Sequence, residues 1–314
     1  MIEVKNITKK YGNVLAVDDI SFTIKDGEIV GLLGPNGAGK STTMNTITGF
    51  IEQTEGNVVI NGYDTLKKSK KAKSQIGYMP EGTPLYDDLT IKEFVTYMAE
   101  LKKVKRKERK VKVQDVIRKT GLSEMQNKLI KNLSRGQKQR VSMAGALVGD
   151  PKVLILDEPT VGLDPKQITE IRSLIKDLGK KHTVILSSHI LSEVSQICDR
   201  VIIINKGKIV AEDTPSNLES KVSNNNVLYI TIEDIENKIE TIKSKIKGIK
   251  EVKLIEENED KTKKYVITGE KDQDLRKVVF NEFAKEGITI FEMKKPEATL
   301  EDAFMKIINE GGDK

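Results

Sequence analysis

Apolar and polar side chains alternate along residues 2–30, with the period of two that is typical of half-buried β-strands. The pair Asp26-Gly27 is a turn signal after this alternation. The next run, residues 29–33, is continuously apolar, as in a strand buried on both faces. The chain is therefore predicted to begin with an antiparallel β region that leads into a buried sheet.

A helical period replaces the alternation in the middle of the chain. Residues 84–147 are predicted to be mainly helical, and their first part carries apolar side chains at helical spacing, namely Leu89, Ile91, Phe94, Val95 and Met98. Residues 153–156 are a continuous apolar run, as expected for a central parallel strand. Residues 183–186 predict a further strand, and a helix is predicted at 166–179 between the two. This alternation of strands and helices predicts a layered α/β domain.

The end of the chain shows a second pattern. Residues 217–226 include three consecutive asparagines and are predicted to form a linker. Elements are then predicted in the order β-α-β-β-α-β over residues 227–293, with helices at 234–246 and 273–286 and a further helix at 299–309. This order predicts a small ferredoxin-like α+β domain. The predicted organisation is a first domain of residues 1–216, with a helical subdomain at about 84–147, and a C-terminal domain of residues 227–314.

The composition is that of a globular protein. Of the 314 residues, 37% are hydrophobic and 32% are charged. No apolar run reaches the length of about 18 residues that a membrane-spanning helix needs, and the N-terminus lacks an apolar signal segment. The single cysteine, Cys198, excludes an internal disulfide and fits a reducing cytosol. The formal net charge of +6 is compatible either with anionic partners or with an ordinary lysine-rich surface.

The first candidate chemistry lies in the loop after the strand at 29–33. This loop reads Gly34-Pro35-Asn36-Gly37-Ala38-Gly39-Lys40-Ser41-Thr42 and leads into a predicted helix. A glycine loop can wrap its backbone amides around a polyphosphate, because positive φ costs glycine little and the following helix N-terminus is positive. Lys40 is expected to reach the β- and γ-phosphates of a nucleotide, and the Ser41 hydroxyl is expected to bind Mg²⁺.

Two carboxylates follow the apolar run at 153–156, at a strand end where ligands bind in open α/β sheets. Asp157 is expected to hold Mg²⁺ opposite Ser41, and Glu158 is the candidate general base for the attacking water. His189, after the strand at 183–188, is expected to contact the γ-phosphate and orient that water. Asp164, in the turn after the acidic pair, is expected to align a neighbouring active site.

A second helix N-terminus with anion-binding character lies at Ser134-Arg135-Gly136-Gln137, where Ser134 is the predicted N-cap. One nucleotide needs only one phosphate cradle, so the second cradle is predicted to serve a nucleotide held by another subunit. Tyr11 lies in a predicted turn and could stack on an adenine ring, although a surface aromatic is equally compatible with its position.

These motifs resemble those of ATP-binding-cassette (ABC) ATPases, the nucleotide-binding subunits of ABC transporters. The resemblance covers residue 1 to about residue 215 and rests on motifs in the family's order: the phosphate loop 34–42, the signature 133–137, the Walker B segment 153–158, Asp164 in the D-loop and His189 as the switch histidine. It implies a P-loop NTPase fold with a RecA-like core and antiparallel β and α-helical subdomains. It also assigns Tyr11 to adenine stacking.

The sequence departs from the family pattern at two positions. Arg135 stands where the family usually has Gly, and Glu81 stands in the loop that normally offers Gln. Glu at this position resembles a branch of ABC-2-type exporter ATPases serving drugs, ions and gliding machinery, and the segment 297–304 resembles that branch's tail. By this resemblance Glu81 belongs to a coupling loop and is a candidate metal ligand.

The resemblance implies Mg²⁺-dependent ATP hydrolysis that powers transport, in the export direction, through a separate membrane permease. Two ATPase subunits, identical or paralogous, would dimerise head to tail around ATP at the cytoplasmic face of the cell membrane. Residues 84–132 would dock the permease, and the basic run 102–112 would either touch acidic headgroups or form a solvated helix face.

Two other interpretations remain open at this point. The chain could be a soluble ABC ATPase that acts on the ribosome or on nucleic acid. Such proteins usually carry tandem cassettes or long coiled coils, and neither is evident in this sequence. No specific nucleic acid is therefore expected as a partner. The C-terminal domain could also be a ligand-sensing regulator.

Overall fold

The structure is a computed structural model that describes residues 1–222, 227–233, 239, 245–246, 248–258, 262–270, 274–296 and 298–310. The chain divides into two compact units, one formed by Met1–Ser216 with Phe304–Lys314 and the other by Asn217–Ala303. None of the helices in the described part of the chain combines the length and the apolar character that a membrane crossing requires.

Strands and helices alternate through the first unit as the sequence predicts. The strands are β1 (Ile2–Tyr11), β2 (Val14–Ile24), β3 (Ile29–Leu33), β4 (Glu55–Ile60), β5 (Tyr63–Asp64), β6 (Ile76–Met79), β7 (Val153–Leu156), β8 (Thr183–Ser187), β9 (Arg200–Asn205) and β10 (Lys208–Asp213). The helices up to residue 222 are α1 (Lys40–Ile47), α2 (Ser69–Ser74), α3 (Ile91–Leu101), α4 (Arg106–Lys119), α5 (Arg135–Leu147), α6 (Pro165–Gly179), α7 (Leu191–Ile197) and α8 (Pro215–Val222).

An antiparallel sheet forms from the alternating segments at the beginning of the chain. Its strand order is β2-β1-β4-β5, and Ile2 lies opposite both Ile24 and Ile60. The apolar residues of this sheet are buried in one cluster with residues of the central sheet, such as Val30 and Ile155. The predicted antiparallel β region is confirmed.

A six-stranded sheet of order β10-β9-β3-β8-β7-β6 forms the centre of the first unit. β9, β3, β8, β7 and β6 run parallel, and only β10 runs antiparallel to its neighbour. Every residue of β3, β7 and β8 is buried, which explains the apolar residues that make up β7 and the centre of β8. Because parallel strands end at the same edge, the loops after β3, β7 and β8 lie side by side.

The helices between β6 and β7 form the predicted helical segment. α3 begins at a capping box in which the Thr90 hydroxyl accepts a hydrogen bond from the Glu93 amide and the Glu93 side chain accepts one from the Thr90 amide. α3 buries Ile91, Phe94, Val95 and Ala99, and it packs against both α4 and α5. The apolar side chains at helical spacing in the sequence therefore mark the side of the helix that faces the core.

The second unit is a four-stranded antiparallel sheet with its own core. The strands are β11 (Val227–Glu233), β12 (Ile249–Glu257), β13 (Thr262–Gly269) and β14 (Ile290–Lys294), and the helices described in this part of the chain are α9 (Arg276–Lys285) and α10 (Leu300–Glu310). The residues of α10 from Phe304 onward are grouped with the first unit. The sheet order β12-β13-β11-β14 is that of the predicted ferredoxin-like arrangement. Most of the helix predicted at 234–246 lies outside the described residues.

The structure differs from the predicted boundaries in two places. Residues 217–222, predicted as linker, belong to α8, which begins at Pro215 and buries Leu218. Proline is favoured at the start of a helix, so the signal taken for a break marks a helix start. The other linker residues, 223–226, lie outside the described residues. Residues from Phe304 onward group with the first unit rather than with the second.

An ion pair joins two strand beginnings in the central sheet and makes stability depend on pH. Arg200 Nε and Nη2 donate to Glu28 Oε1 and Oε2 at 2.7 and 3.0 Å. Burial raises the pKa of Glu28, but hydrogen bonds from Arg200 and from the Lys25 amide outweigh burial, so the pKa is lowered from its usual 4.5. A lowered pKa in the folded state means that this stabilisation is present above pH 4.5 and is lost as pH falls further.

We expect Glu28→Gln to lower the free energy of unfolding by about 1 kcal/mol at pH 7, because the charge-assisted hydrogen bonds with Arg200 are lost. The difference from wild type should shrink as pH falls below the usual pKa of the carboxyl. Denaturant unfolding across that range measures both. Asp177→Asn, which breaks an exposed pair with Lys180, is the control and should change stability little at any pH. A difference between Glu28→Gln and wild type that is independent of pH would contradict the assignment.

Candidate active site

The loop after β3 contains two glycines that have no room for a side chain. A Cβ at Gly34 would lie 2.2 Å from the Ile204 carbonyl oxygen, and a Cβ at Gly39, where φ is +110°, would lie 2.6 Å from the Ala16 carbonyl oxygen. α1 begins directly after Gly39. Lys40 Nζ donates to the carbonyl oxygens of Gly34 and Pro35 at 2.7 and 3.1 Å, so the loop curls around its own lysine amine.

The remaining residues of the loop lie where the sequence predicts. Asn36 and Gly37 are exposed at its turn, and the buried Ala38 donates its amide to the Pro35 carbonyl. Ser41 and Thr42 lie in the first turn of α1, and Ser41 is exposed. The loop therefore offers a glycine-rich backbone, one amine and one accessible hydroxyl at a helix N-terminus, which is a set of groups suited to a polyphosphate.

Asp157 and Glu158 are joined through one hydroxyl group. The Ser187 hydroxyl, at the end of β8, donates to Asp157 Oδ1 at 2.6 Å and accepts from the Glu158 amide at 2.9 Å. β7 and β8 pair in parallel, with Leu156 opposite Leu186, so the next residues along, Asp157 and Ser187, are neighbours. Asp157 is 5% exposed. The register of two buried strands thus fixes the acidic pair.

Burial dominates the electrostatics of this edge of the sheet. It raises the pKa of Asp157, the Ser187 hydrogen bond lowers it, and the nearby charges of Glu158 and Lys40 act in opposite directions, for a net increase. Burial also lowers the pKa of Lys40, although the charges of Glu158, Asp157 and Glu81 raise it in part. The loop lysine and the three carboxylates therefore share one electrostatic environment.

Glu158 and His189 contact each other directly. His189 Nδ1 lies 2.7 Å from Glu158 Oε2, and the Glu158 side chain is 12% exposed against 56% for His189. Glu158 has a φ of +49°, in the left-handed region that few residues other than glycine adopt. This turn of the backbone separates the environments of the two adjacent carboxylates: Asp157 contacts Ser187, whereas Glu158 contacts His189.

The signature segment forms a capped helix start, as predicted. The Ser134 hydroxyl accepts from the Gln137 amide at 3.3 Å, and the Gln137 side chain accepts from the Ser134 amide at 3.0 Å. Gly136 is buried, and a Cβ there would lie 2.5 Å from Gln167 Oε1. The N-terminus of α5 is therefore packed against the first turns of α6.

Asp164 is the N-cap of α6 and accepts from the Gln167 amide at 2.9 Å, with Pro165 as the first helical residue. A cavity of about 350 Å³ lies between the starts of α5 and α6, and Ser134, Gln137, Asp164 and Lys166 are among its lining residues. The sequence motifs at 134–137 and at 164 thus come together on one surface of the first unit.

Tyr11 and Glu81 lie in exposed positions. Tyr11 is the last residue of β1, is 48% exposed, and has the Lys9 amine 5.0 Å from its ring centroid. Glu81 follows β6 and Pro80 in an exposed turn, and its charge acts on Lys40. Glu81 therefore belongs to the electrostatic environment of the phosphate loop, while Tyr11 presents a ring face that a base could stack on.

Two side chains of this site do not stand out in the sequence. In the sequence, Ser187 lies two positions before His189, and the one feature that marks it is a hydroxyl at the end of a predicted strand. Tyr78 is there only part of a strand. In the structure its hydroxyl donates to Asn45 Oδ1 at 3.1 Å, and burial, assisted by the charge of Asp157, raises the pKa of Tyr78 to about 12.

The oxygen donors near the phosphate loop fit a magnesium ion. Among the described residues no cluster of three or more His, Cys, Asp or Glu side chains could enclose a metal. Mg²⁺ usually binds to one or two protein oxygens together with phosphate oxygens and water, and it keeps several of its waters. The exposed Ser41 hydroxyl and the buried Asp157 carboxylate are oxygen donors of this kind and would hold such an ion.

Comparisons with known proteins show the family of this chain. A family model described as ABC transporter matches residues 17–161. The linearmycin resistance ATP-binding protein LnrL of Bacillus subtilis (strain 168) is 38% identical over 75% of this chain and 76% of its own length. The bacitracin transport ATP-binding protein BcrA of Bacillus licheniformis is 34% identical over 99% of this chain and 98% of its own length.

A structural neighbour gives the same result. The dimeric ATP-binding cassette MJ0796, bound to ADP and Pi in a post-hydrolysis state, is 30% identical and superposes with a TM-score of 0.62 over 68% of this chain and 98% of its own. The chain belongs to the ATP-binding proteins of ABC transporters, and it is an ATPase. The predicted family and the predicted P-loop ABC fold are confirmed, and the names of the two relatives agree with the resemblance to exporter ATPases.

We expect Ser187→Ala to lower ATP hydrolysis by about tenfold or more, because the Asp157 carboxylate and the Glu158 backbone amide lose the hydroxyl that positions them. The Ser187 hydroxyl lowers the pKa of Asp157, so its removal should raise that pKa further. The acidic limb of the pH–rate profile should therefore move to higher pH. Steady-state rates across pH measure this shift.

Ser188→Ala is the matched control. The Ser188 hydroxyl accepts from the Ile190 amide at 3.0 Å and contacts neither carboxylate of the acidic pair. This variant should keep the acidic limb where it is in wild type. An unchanged limb in Ser187→Ala would contradict the role given to that hydroxyl.

Proposed function

We propose that two copies of this chain, or this chain and a paralogue, dimerise head to tail around two ATP molecules. In each site, Lys40 and Ser41 of one subunit hold the phosphates, while Ser134 and Gly136 of the other subunit close over them. Arg135 and Gln137 belong to the same signature turn, on either side of Gly136. The rest of the phosphate cradle is the loop formed by Gly34, Pro35, Asn36, Gly37, Ala38, Gly39 and Thr42.

The observation that carries this proposal is the presence of two separate helix N-termini with anion-binding character in one chain. α1 begins in the phosphate loop beside the Lys40 amine. α5 begins at Ser134, whose neighbours contact α6. A single ATP requires only one such cradle, so the second is suited to the nucleotide of another subunit. The dimeric form of the structural neighbour supports the same assembly.

Within each site, Glu158 is the proposed general base for the attacking water. His189 orients Glu158 through the 2.7 Å contact and contacts the γ-phosphate through its other ring nitrogen. Mg²⁺, held by Ser41 and Asp157 with Glu81 as a further candidate ligand, would neutralise charge on the β- and γ-phosphates. Tyr11 stacks on the adenine, and Asp164 aligns the neighbouring site.

ATP-driven closure of this dimer would power transport through a separate membrane permease. ATP favours the closed dimer because it contacts both subunits there, and hydrolysis restores the open state. Export is the proposed direction, supported by relatives named for linearmycin resistance and bacitracin transport. The ATPase domain comprises residues 1–216, and its proposed location is the cytoplasmic face of the membrane, where it is bound as a peripheral subunit.

The proposed permease-docking surface is the segment 84–132 together with Glu81. Tyr86 and Tyr97 lie in this segment, 53% and 39% exposed, with ring centroids 5.6 Å apart. Tyr86 also packs against the buried Phe94 at 6.3 Å between centroids. Exposed aromatic side chains anchored on a helix are typical of residues that contribute strongly to protein interfaces.

We expect Glu158→Gln to hydrolyse ATP about 10²–10⁴-fold more slowly, because the amide cannot accept the proton of the attacking water. The variant should accumulate as a dimer with ATP and Mg²⁺ and remain a monomer without them. Light scattering at several protein concentrations measures its mass.

Glu124→Gln, at an exposed glutamate of the same subunit, is the control and should hydrolyse ATP at the wild-type rate. Wild-type turnover by Glu158→Gln would overturn the assignment of the base. A Glu158→Gln chain that stays monomeric with ATP and Mg²⁺ at every concentration would overturn the dimer.

We expect the double variant Tyr86→Glu/Tyr97→Glu to lose co-purification with a membrane-spanning partner from detergent-solubilised cells. The isolated variant should keep the ATPase rate of the isolated wild type, since neither ring contacts the nucleotide groups. Phe280→Glu, at an exposed aromatic of the second unit, is the control and should keep the partner. Retention of the partner by the tyrosine variant would rule out this docking surface. Stimulation of the wild-type ATPase by nucleic acid would instead favour a soluble ABC ATPase that acts on the ribosome or on nucleic acid.

A further inference from the structure

The side chain of Arg135 lies over the loop that leads to Asp164. Arg135 is the first residue of α5, directly after the cap Ser134. A Cβ built at Gly162 would lie 2.2 Å from both Cζ and Nη1 of Arg135 and 2.7 Å from Nε. The guanidinium group therefore occupies the space that a side chain at position 162 would need.

The loop 158–164 is fixed at several points by the core of the same subunit. The Glu158 amide donates to Ser187 Oγ, and the buried Thr160 hydroxyl donates to Glu193 Oε2 at 2.7 Å. The Leu163 amide donates to the Thr160 carbonyl, and Asp164 caps α6. Arg135 adds a contact of a different kind, because it comes from the helix that begins at the signature.

Two further contacts join α5 to α6, in addition to the contact of Arg135 with Gly162. Gln167 packs against Gly136, and Arg140 Nη2 lies 2.5 Å from Glu170 Oε2 in an ion pair. The two helices are thus connected at successive turns. Arg135 is the contact nearest to the groups that the proposed dimer presents to its second copy, Ser134 and Asp164.

The position of a cation at this point has an electrostatic cost. A positive charge in the first turn of a helix is opposed by the positive end of the helix macrodipole. The planar guanidinium can lie flat over the backbone of a glycine, which a lysine ammonium cannot do in the same way. The contact with Gly162, rather than the charge, is therefore the property that distinguishes arginine at position 135.

We propose that Arg135 is a positioning residue that joins the signature turn to the D-loop within one subunit. Ser134 and Asp164, which both act on the site that holds the second subunit's phosphate loop, would then move together with the loop that starts at Glu158, the proposed base of this subunit's own site. ATP bound at one site is in this way coupled to the geometry of the other. This inference rests on the proposed head-to-tail dimer.

The first test compares Arg135→Ala and Arg135→Lys with wild type. Both variants should lower kcat by about tenfold and bring the Hill coefficient for ATP toward one, because small misplacements of groups in a site cost large factors in rate. KM for ATP should change little, since the phosphate loop and Tyr11 are untouched. Arg172→Ala, which removes a hydrogen bond from α6 to Gln196 of α7 and one to Thr169 within α6, is the control and should leave kcat and cooperativity unchanged.

Restoration of kcat and cooperativity by lysine would assign the effect to charge alone and overturn the proposed contact. Arg135→Lys keeps the aliphatic stem and the charge, so it tests the contact even if Arg135→Ala folds poorly. Thermal unfolding of each variant identifies any loss of fold.

A double-mutant cycle tests the contact itself. In wild type, Gly162→Ala places a methyl group against the guanidinium and also strains a backbone with φ of +69°. In the Arg135→Ala background only the backbone strain remains. Gly162→Ala should therefore lower kcat by a smaller factor in the Arg135→Ala background than in wild type. Equal factors in the two backgrounds would show that the residues are not coupled.

The variants Glu158→Gln and Arg135→Ala together separate the role of Arg135 from the proposed dimer. If Glu158→Gln forms the ATP-bound dimer and Arg135→Ala changes neither kcat nor cooperativity, the role of Arg135 is wrong and the dimer stands. If Glu158→Gln does not dimerise with ATP, the proposed function fails, and the role of Arg135 fails with it.

Discussion

Three parallel strands end at one edge of the central sheet, and the chemistry of the chain depends on the residues at these three strand ends. The phosphate loop comes after β3, the acidic pair comes after β7, and Ser187 ends β8. The Ser187 hydroxyl contacts both Asp157 and the Glu158 amide. The register between the buried strands β7 and β8 therefore sets the positions of the two acidic residues. Because this edge is desolvated, the charges of Lys40 and the acidic residues act strongly on one another.

The signature surface is built by a different kind of structure. Ser134 and Asp164 are both helix N-caps, and the packing of Gly136 against Gln167 brings the two caps together. Strand ends thus supply the groups proposed to act within one subunit, whereas capped helix starts supply the groups proposed to act on the second. Arg135 links the two regions through the loop that runs from Glu158 to Asp164.

The sequence is sufficient to predict the features that local physics specifies. The glycine loop before α1, the cap at Ser134 and the buried strands β3, β7 and β8 follow from residue type and periodicity alone. The role of Ser187 could not be predicted, because a serine at a strand end becomes informative only when strand order places it beside Asp157. The contact of Arg135 with Gly162 depends on the packing of α5 and α6. The start of α8 at Pro215 resembles a linker in sequence because proline favours both breaks and helix starts.

In the proposed dimer, each ATP site takes one half from each of two chains. Complementation tests it most directly: a Lys40→Ala chain and a Ser134→Arg chain, each inactive alone, are mixed and assayed for ATP hydrolysis. A mixed dimer contains one site in which both halves are intact, so activity should return on mixing. A mixture as inactive as its two components, under conditions where the chains associate, would contradict the shared site.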